Sequence, residues 1–380
     1  MQTVYFDYNA TTPLDPQVRE AMLPYLDEVW GNPSSVHQVG RRARAVLDDA
    51  HERAARVLRC KPSEVVFTSG GTESANFAVL GTARRFRSKG RHIITSAVEH
   101  PAVLHCCEHL AREEGFELSC LPVNREGLIS PADLAQALRP DTVLVSVMAA
   151  NNEIGTIQPV AELGAICRQR GVVFHTDAVQ WFGKEPFDDV HQFNADLVSI
   201  CGHKIHGPKG AGALFIRSPL QIWPLLLGGS HENERRAGTE NLAAIVGLVE
   251  AMERFIRPPV FSPEQLAPLG HRLIRLIDGL PEAQLVGSRE QRLVNTVSFV
   301  VPGSDSISLL AGLDLEGICA SSGSACSAGS VEPSHVVAAL GLQQDAARAL
   351  VRFSLGRGSK VEEVQHVEKV LPEVIRRVRR

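Results

Sequence analysis

Six short apolar runs alternate with amphipathic stretches, and that alternation constrains this chain more than any other feature. The runs are EVVF (64–67), HIIT (92–95), TVLVSVM (142–148), GVVFHT (171–176), DLVSI (196–200) and GALFI (212–216). Each is too short for a helix and apolar on consecutive residues, as strands buried on both faces are. Segments such as AELGAICRQR (161–170) separate them. The pattern predicts an α/β fold, a mostly parallel sheet sandwiched by helices. An earlier helix is expected over 35–58. Asn32-Pro33-Ser34-Ser35 offers its cap, and Val36, Val39, Val46, Leu47, Ala50, Val57 and Leu58 its apolar stripe. RPPVFSP (257–263) breaks the pattern and reads as a linker. It leads to a smaller α+β C-terminal domain.

With 380 residues, one or two domains with a large core are expected. A formal charge of −4 gives no electrostatic case for nucleic acid or an anionic membrane. No apolar run is long enough to span a bilayer, and the N-terminal residues lack the basic-then-apolar order of a signal peptide. The eight cysteines are irregularly spaced, unlike a disulfide scaffold, so a reduced, cytoplasmic protein is expected.

Ligands of such sheets bind outside the carboxyl ends of the strands, and the polar residues gather there. TSGGTESAN (68–76) follows the first run. Its small residues turn the chain into a helix whose free N–H groups suit a phosphate. Neither a Walker lysine nor GxGxxG is present, so a nucleotide is not the first choice. Asp177 ends one run, with Gln180 three residues on, and Lys204 follows another within CGHKIHGPKGAG (201–212). Singly, the acid reads as a helix cap and the lysine as a solvated side chain. Together, a phosphate cradle, a carboxylate for a pyridinium nitrogen and a lysine for a Schiff base point to pyridoxal phosphate.

Ten segments extend that pattern nearly end to end: FDYNATTP (6–13), GNPSSVHQVG (31–40), FTSGGTESAN (67–76), EHPAV (99–103), NNEIG (151–155), HTDAVQ (175–180), GHKIHGPKG (202–210), RRAGTEN (235–241), SSGSAC (321–326) and VRFSLGR (351–357). In this order they resemble the cysteine desulfurases, class V aminotransferase-like enzymes of the type I pyridoxal-phosphate fold. SSGSAC resembles the first of the two desulfurase groups. The resemblance implies a large cofactor-binding domain over 15–257 and a small domain formed by 1–14 with 258–380. It implies that Lys204 holds the cofactor and moves the substrate α-proton. Asp177 pairs with the ring nitrogen, Gln180 with the phenolic oxygen, and His100 stacks on the ring and shuttles protons. Gly71, Thr72 and His203 hold the phosphate, and Thr239 reaches the phosphate of a neighbouring subunit, which implies a homodimer with shared sites. Asn151 and Arg352 hold the substrate, and Arg352 suits a bidentate grip on its carboxylate. Cys201 replaces the family's usual serine at the phosphate. The thiol is a poorer donor, so looser cofactor binding is expected unless Cys201 only fills the core.

SSGSACSAGS (321–330) sets one thiol, Cys326, among small residues. The resemblance makes it the nucleophile that takes sulfur from L-cysteine, leaving L-alanine and a persulfide. A Ser/Gly/Ala-rich loop would let one sulfur reach both the site and a sulfur-acceptor protein such as an iron–sulfur scaffold. Cys319, Cys106 and Cys107 read as packing, and His206 and Lys209 as surface. Two alternatives share the scaffold, a selenocysteine lyase and a plain aminotransferase, and the latter needs no mobile thiol. His105, Glu108 and His109 fit H-x-x-E-H, a remote zinc-hydrolase alternative. A surface helix is the favoured reading of those residues, with no metal.

Overall fold

A computed structural model describes residues 3–323 and 333–379. Twelve strands are found among the described residues: β1 (Val4–Tyr5), β2 (Val65–Thr68), β3 (His92–Ser96), β4 (Glu117–Leu121), β5 (Thr142–Ser146), β6 (Val173–Asp177), β7 (Leu197–Cys201), β8 (Gly212–Ile216), β9 (Gln284–Val286), β10 (Thr296–Val300), β11 (Ile318–Cys319) and β12 (Leu350–Ser354). Seven form one sheet in the order β2-β8-β7-β6-β5-β3-β4. Strand β8 runs antiparallel to both its neighbours, and every other pair is parallel. All six apolar runs lie in this sheet, and β2, β3, β5, β7 and β8 are buried at every residue.

Two features escaped the pattern. GALFI carries no mark of its reversed direction. Strand β4, at the sheet edge, is exposed or half-buried at every residue but Leu121, and ELSCL shows no continuous apolar run. The early helix spans Gln38–Leu58 and starts three residues later than expected. His37 caps it, with Nδ1 accepting from Gly40 N at 3.3 Å, while the Asn32 side chain closes a turn onto Ser34 N. Val36 is 87% exposed and Val39 is also exposed, so the stripe begins at Gly40 and runs through Ala43, Leu47, Ala50 and Leu58.

A three-stranded antiparallel sheet, β9-β10-β12, lies in the C-terminal part. Strand β1 joins that part from the other end of the sequence by pairing in parallel with β11. Val4 and Phe6 share one core with Phe299, Phe353 and the helices Pro263–Asp278 and Val361–Val378. The N-terminal segment therefore runs from this core across the ends of β6 and β7, where Asn9 and Ala10 meet Lys204.

Candidate active site

Strands β2, β6 and β7 point the same way, so their carboxyl ends open on one cavity. The Gly71–Phe86 helix begins just past β2, and Gly70 before it takes a φ of 153° that favours glycine. A Cβ on Gly71 would stand 2.9 Å from Val179 Cγ2, which shows how closely the helix start packs on the loop after β6. Gly71 and Thr72 line the cavity with Asp177, Gln180, Cys201, His203, Lys204, His100 and Arg352.

Burial sets the charges here. It pushes the Asp177 carboxyl up to about 6, against the Val179 N–H and the Lys204 amine, which both favour the charged form. Asp177 Oδ1 accepts from Val179 N at 3.0 Å. Burial lowers the Lys204 amine to about 8. Its Nζ donates to the carbonyls of Asn9 at 2.5 Å and Ala10 at 2.8 Å. His100 caps the Pro101–Glu113 helix, with Nδ1 accepting from Ala102 N at 3.1 Å. Its ring proton therefore sits on Nε2. Burial holds His100 and His203 neutral, each down to about 4. His203 Nδ1 lies 3.1 Å from Thr11 Oγ1. Cys201 accepts backbone N–H groups from Gly71 and His203, and burial raises its thiol.

Arg352, on β12, is 1% exposed. Its Nη1 donates to the carbonyls of Asn152 at 2.8 Å and Gly323 at 2.6 Å, and its Nη2 to Asp7 Oδ1 at 2.7 Å. Its Nε is buried with no partner among the described residues. The guanidinium keeps an unused donor for an anionic group.

The remaining expected residues stand elsewhere. Asn151 is fully buried and does not line the cavity. Its Nδ2 donates to Val98 O, and its Oδ1 accepts from Glu153 N and Ile154 N. Its neighbour Asn152 lines the cavity instead. Thr239 is exposed beside Arg236 in a separate depression. Cys326 lies outside the described residues. Cys106 and Cys107 are buried, Cys319 is half-buried and Lys209 is exposed. His206 is not on the surface: it is buried, with Nδ1 2.8 Å from Pro13 O. His105 and Glu108 are exposed, and His109 faces Glu114 at 3.6 Å. Among the described residues no group of three or more His, Cys, Asp or Glu could hold a metal ion.

Three groups at or behind the cavity went unassigned in the sequence: Asn9 lines it, while Glu99 and Lys184 are buried behind its lining. Asn9 lies within FDYNATTP, a segment that was recognised without a role for this residue. Glu99, next to His100, is fully buried and raised by burial to about 8. Lys184, in WFGKEP, is 3% exposed and donates to Asn9 Oδ1 at 2.8 Å and to Gln180 Oε1. No local pattern marked it.

The model of the aminotransferase class-V family matches residues 4–367. A cysteine desulfurase IscS of Dictyoglomus turgidum is 47% identical over 377 residues, covering 99% of this chain and 95% of the relative. The same protein of Methanosarcina thermophila is 47% identical over 378 residues, covering 100% of this chain and 93% of the relative. A solved NifS-like protein superposes with a TM-score of 0.91 at 36% identity, covering 99% of this chain and 100% of that one. A solved structure of SspA in complex with cysteine superposes with a TM-score of 0.82 at 36% identity, covering 93% of this chain and 99% of that one.

Proposed function

We propose that this chain, which belongs to the class-V aminotransferase family and within it to the cysteine desulfurases, takes sulfur from L-cysteine through Lys204, Asp177, Arg352 and Cys326 and leaves L-alanine. The observation that carries the assignment of roles is the convergence of Asp177, Lys204 and the start of the Gly71–Phe86 helix on one cavity. The residues suit pyridoxal phosphate: a half-buried lysine whose amine bonds to carbonyls, a buried carboxylate, and a helix N-terminus for a phosphate. When bound, that cofactor supplies a ring that accepts the electrons freed at the substrate α-carbon.

Lys204 would hold the cofactor and move the proton at the substrate α-carbon. Its lowered amine suits both tasks near neutral pH. Asp177 would face the ring nitrogen and Gln180 the phenolic oxygen, with His100 against the ring face. Gly71, Thr72, His203 and Cys201 would bind the phosphate. Arg352 would take the substrate carboxylate on its unused Nε edge. Asn151 would act on the substrate by shaping the turn that carries Asn152. Cys326 would attack the substrate sulfur and hold it as a persulfide for an acceptor protein, such as an iron–sulfur scaffold.

In this reading residues 15–257 form the cofactor domain, and 1–14 with 258–380 form the smaller domain that brings Arg352 and Cys326. The protein is proposed to work as a homodimer in the cytoplasm. Leu23, Leu26, Trp30, Trp223 and Leu227 are large, apolar and exposed, as a subunit interface would leave them in a single chain. Thr239, also exposed, would reach the partner's phosphate site. No helix of the described residues is long and apolar enough to cross a membrane.

The test is a visible absorption spectrum of the purified protein before and after L-cysteine, with alanine and sulfide assayed in the same sample. A yellow band that shifts with cysteine, with both products formed, is expected. A protein that pyridoxal phosphate cannot make yellow would overturn the reading.

A further inference from the structure

Lys184 is a buried cation-former with no carboxylate in contact among the described residues. Among the described residues its amine donates to two amide oxygens, Asn9 Oδ1 at 2.8 Å and Gln180 Oε1. The charged groups around it are Lys204 and Arg352, of like sign, and Glu185, of opposite sign. A lysine in such a place costs stability, and none of the roles proposed above uses it.

Its partners show what it does. The Gln180 amide is gripped from both ends. Gln180 Nε2 donates to the Asn9 carbonyl at 2.9 Å, and a backbone carbonyl can only accept. The other end, Oε1, therefore faces Lys184, which donates. Asn9 is itself immobilised. Its Oδ1 also accepts from Asn295 Nδ2 at 3.1 Å, and its Nδ2 donates to Thr296 Oγ1 at 2.9 Å and Asn152 O at 3.2 Å. The Asn9 carbonyl that anchors Gln180 also accepts from Lys204 Nζ. One asparagine thus ties both lysines and the glutamine to a single frame.

We propose that Lys184 is a positioning residue for Gln180: it holds the amide oxygen away from the cavity, so that Gln180 presents its remaining N–H there. The inference rests on the cofactor reading above, in which Gln180 meets an anionic phenolic oxygen. An N–H stabilises an oxygen anion, and an amide carbonyl in its place would repel it. Without Lys184 the amide orientation rests on the single Gln180 Nε2 bond to the Asn9 carbonyl.

The experiment uses the protein loaded with pyridoxal phosphate and reads the pH midpoint of its visible absorption band. The other titratable and charged groups at the cavity, Asp177, His100, Cys201, His203, Lys204 and Arg352, with Asp7 beside Arg352 and Glu185 beside Lys184, stay in place throughout. Lys184→Met is expected to raise the midpoint by about one pH unit, the size of one charge-assisted hydrogen bond. Gln180→Ala should raise it by a similar amount. The double variant should shift no further than Gln180→Ala alone, because Lys184 acts through the amide. A Lys184→Met shift of full size in the Gln180→Ala background would overturn the proposal in favour of a direct charge effect, and so would no shift at all. Lys184→Gln removes the charge but keeps an N–H donor. Its midpoint should stay near that of the natural protein, and a shift like that of Lys184→Met would overturn the proposal. Lys184→Gln and Gln180→Ala decide the matter by the same criteria if Lys184→Met does not fold. Failure of the cofactor reading is separate: the natural protein would then show no visible band.

Discussion

Arg352 and Asp7 lie 345 residues apart in sequence and 2.7 Å apart in space, Nη2 to Oδ1. The guanidinium is buried and Asp7 is the only carboxylate paired with it among the described residues. That pair ties the N-terminal segment to β12 at the edge of the cavity, with Asn152 and Gly323 held by the same guanidinium.

Removing Asp7 leaves Arg352 buried without a counter-charge. Asp7→Ala is expected to destabilise the protein by about 3 kcal/mol, the lower end of what breaking a buried pair costs. Denaturant unfolding measures it. Asp7→Asn keeps a hydrogen-bond acceptor and should lose less. Equal stability of all three proteins would show that Asp7 does not compensate the buried charge.

Asp177 gives a pH dependence of defined sign. Its carboxyl is raised from 3.8 to about 6 by burial, so the folded chain holds that proton more tightly than the unfolded one. The stabilising contribution of the protonated form is present at low pH and lost as pH rises through that window. In the cofactor-free protein at neutral pH, Asp177→Asn should therefore raise stability by up to about 3 kcal/mol. The gain should vanish below pH ~4. The loaded variant should lose about a hundredfold in activity, as when one aimed electrostatic group is removed. Thermal melts across pH and a sulfide assay separate the two effects. A cofactor-free variant less stable than the natural protein at neutral pH would contradict the assigned direction.

Lys204 predicts the rate of cofactor uptake. Only the free amine attacks an aldehyde, and burial brings this amine from 10.5 to about 8. Uptake by the cofactor-free protein should rise about tenfold per pH unit below that value and level off above it. Rapid-mixing absorbance follows it directly. A rate still climbing through pH ~10 would mean an ordinary, solvated lysine.

Most of the cofactor-site residues that sequence reasoning assembled lie just past a strand end or at a helix start, whereas Arg352 lies inside β12. Asp177, Cys201, Lys204 and Gly71 sit where an apolar run stops, and the parallel sheet sets those stops side by side. Strand direction was not legible at β8, because an apolar run reads the same both ways. Lys184 was not legible because its neighbours in WFGKEP suggest a solvated turn. What buries it is Asn9, 175 residues away. Asn151 is expected at the substrate from the resemblance, and the sequence does not show that its side chain is spent on backbone groups while Asn152 lines the cavity. His206 reads as surface from its Gly/Pro surroundings, yet the Pro13 carbonyl of the N-terminal segment covers it.

Cys201 offers a gain. Its thiol accepts the Gly71 and His203 N–H groups but is a weak donor toward a phosphate. Cys201→Ser should slow cofactor loss on dialysis about fivefold, the worth of one ordinary hydrogen bond. Equal loss from both proteins would leave Cys201 a packing residue.

Cys326 is the thiol expected to carry the sulfur, and the other cysteines strengthen that expectation. The thiolate is the reactive form. Burial raises Cys106 to about 11 and Cys60 and Cys167 to about 12, and pushes Cys107 higher still. Those four are poor nucleophiles near neutral pH. Cys319 is half-buried on β11 and Cys120 is exposed at the sheet edge, and neither lines the cavity. Cys326→Ala should therefore keep the yellow cofactor and its spectral response to L-cysteine, yet release no sulfide. Peptide mass analysis after incubation with L-cysteine should find one added sulfur atom on the peptide that contains Cys326. Sulfide release at the natural rate from Cys326→Ala, or the added sulfur on Cys319 or Cys120 instead, would move the nucleophile to another residue. Loss of the spectral response would show instead that Cys326 is needed before any sulfur moves, at binding rather than at transfer.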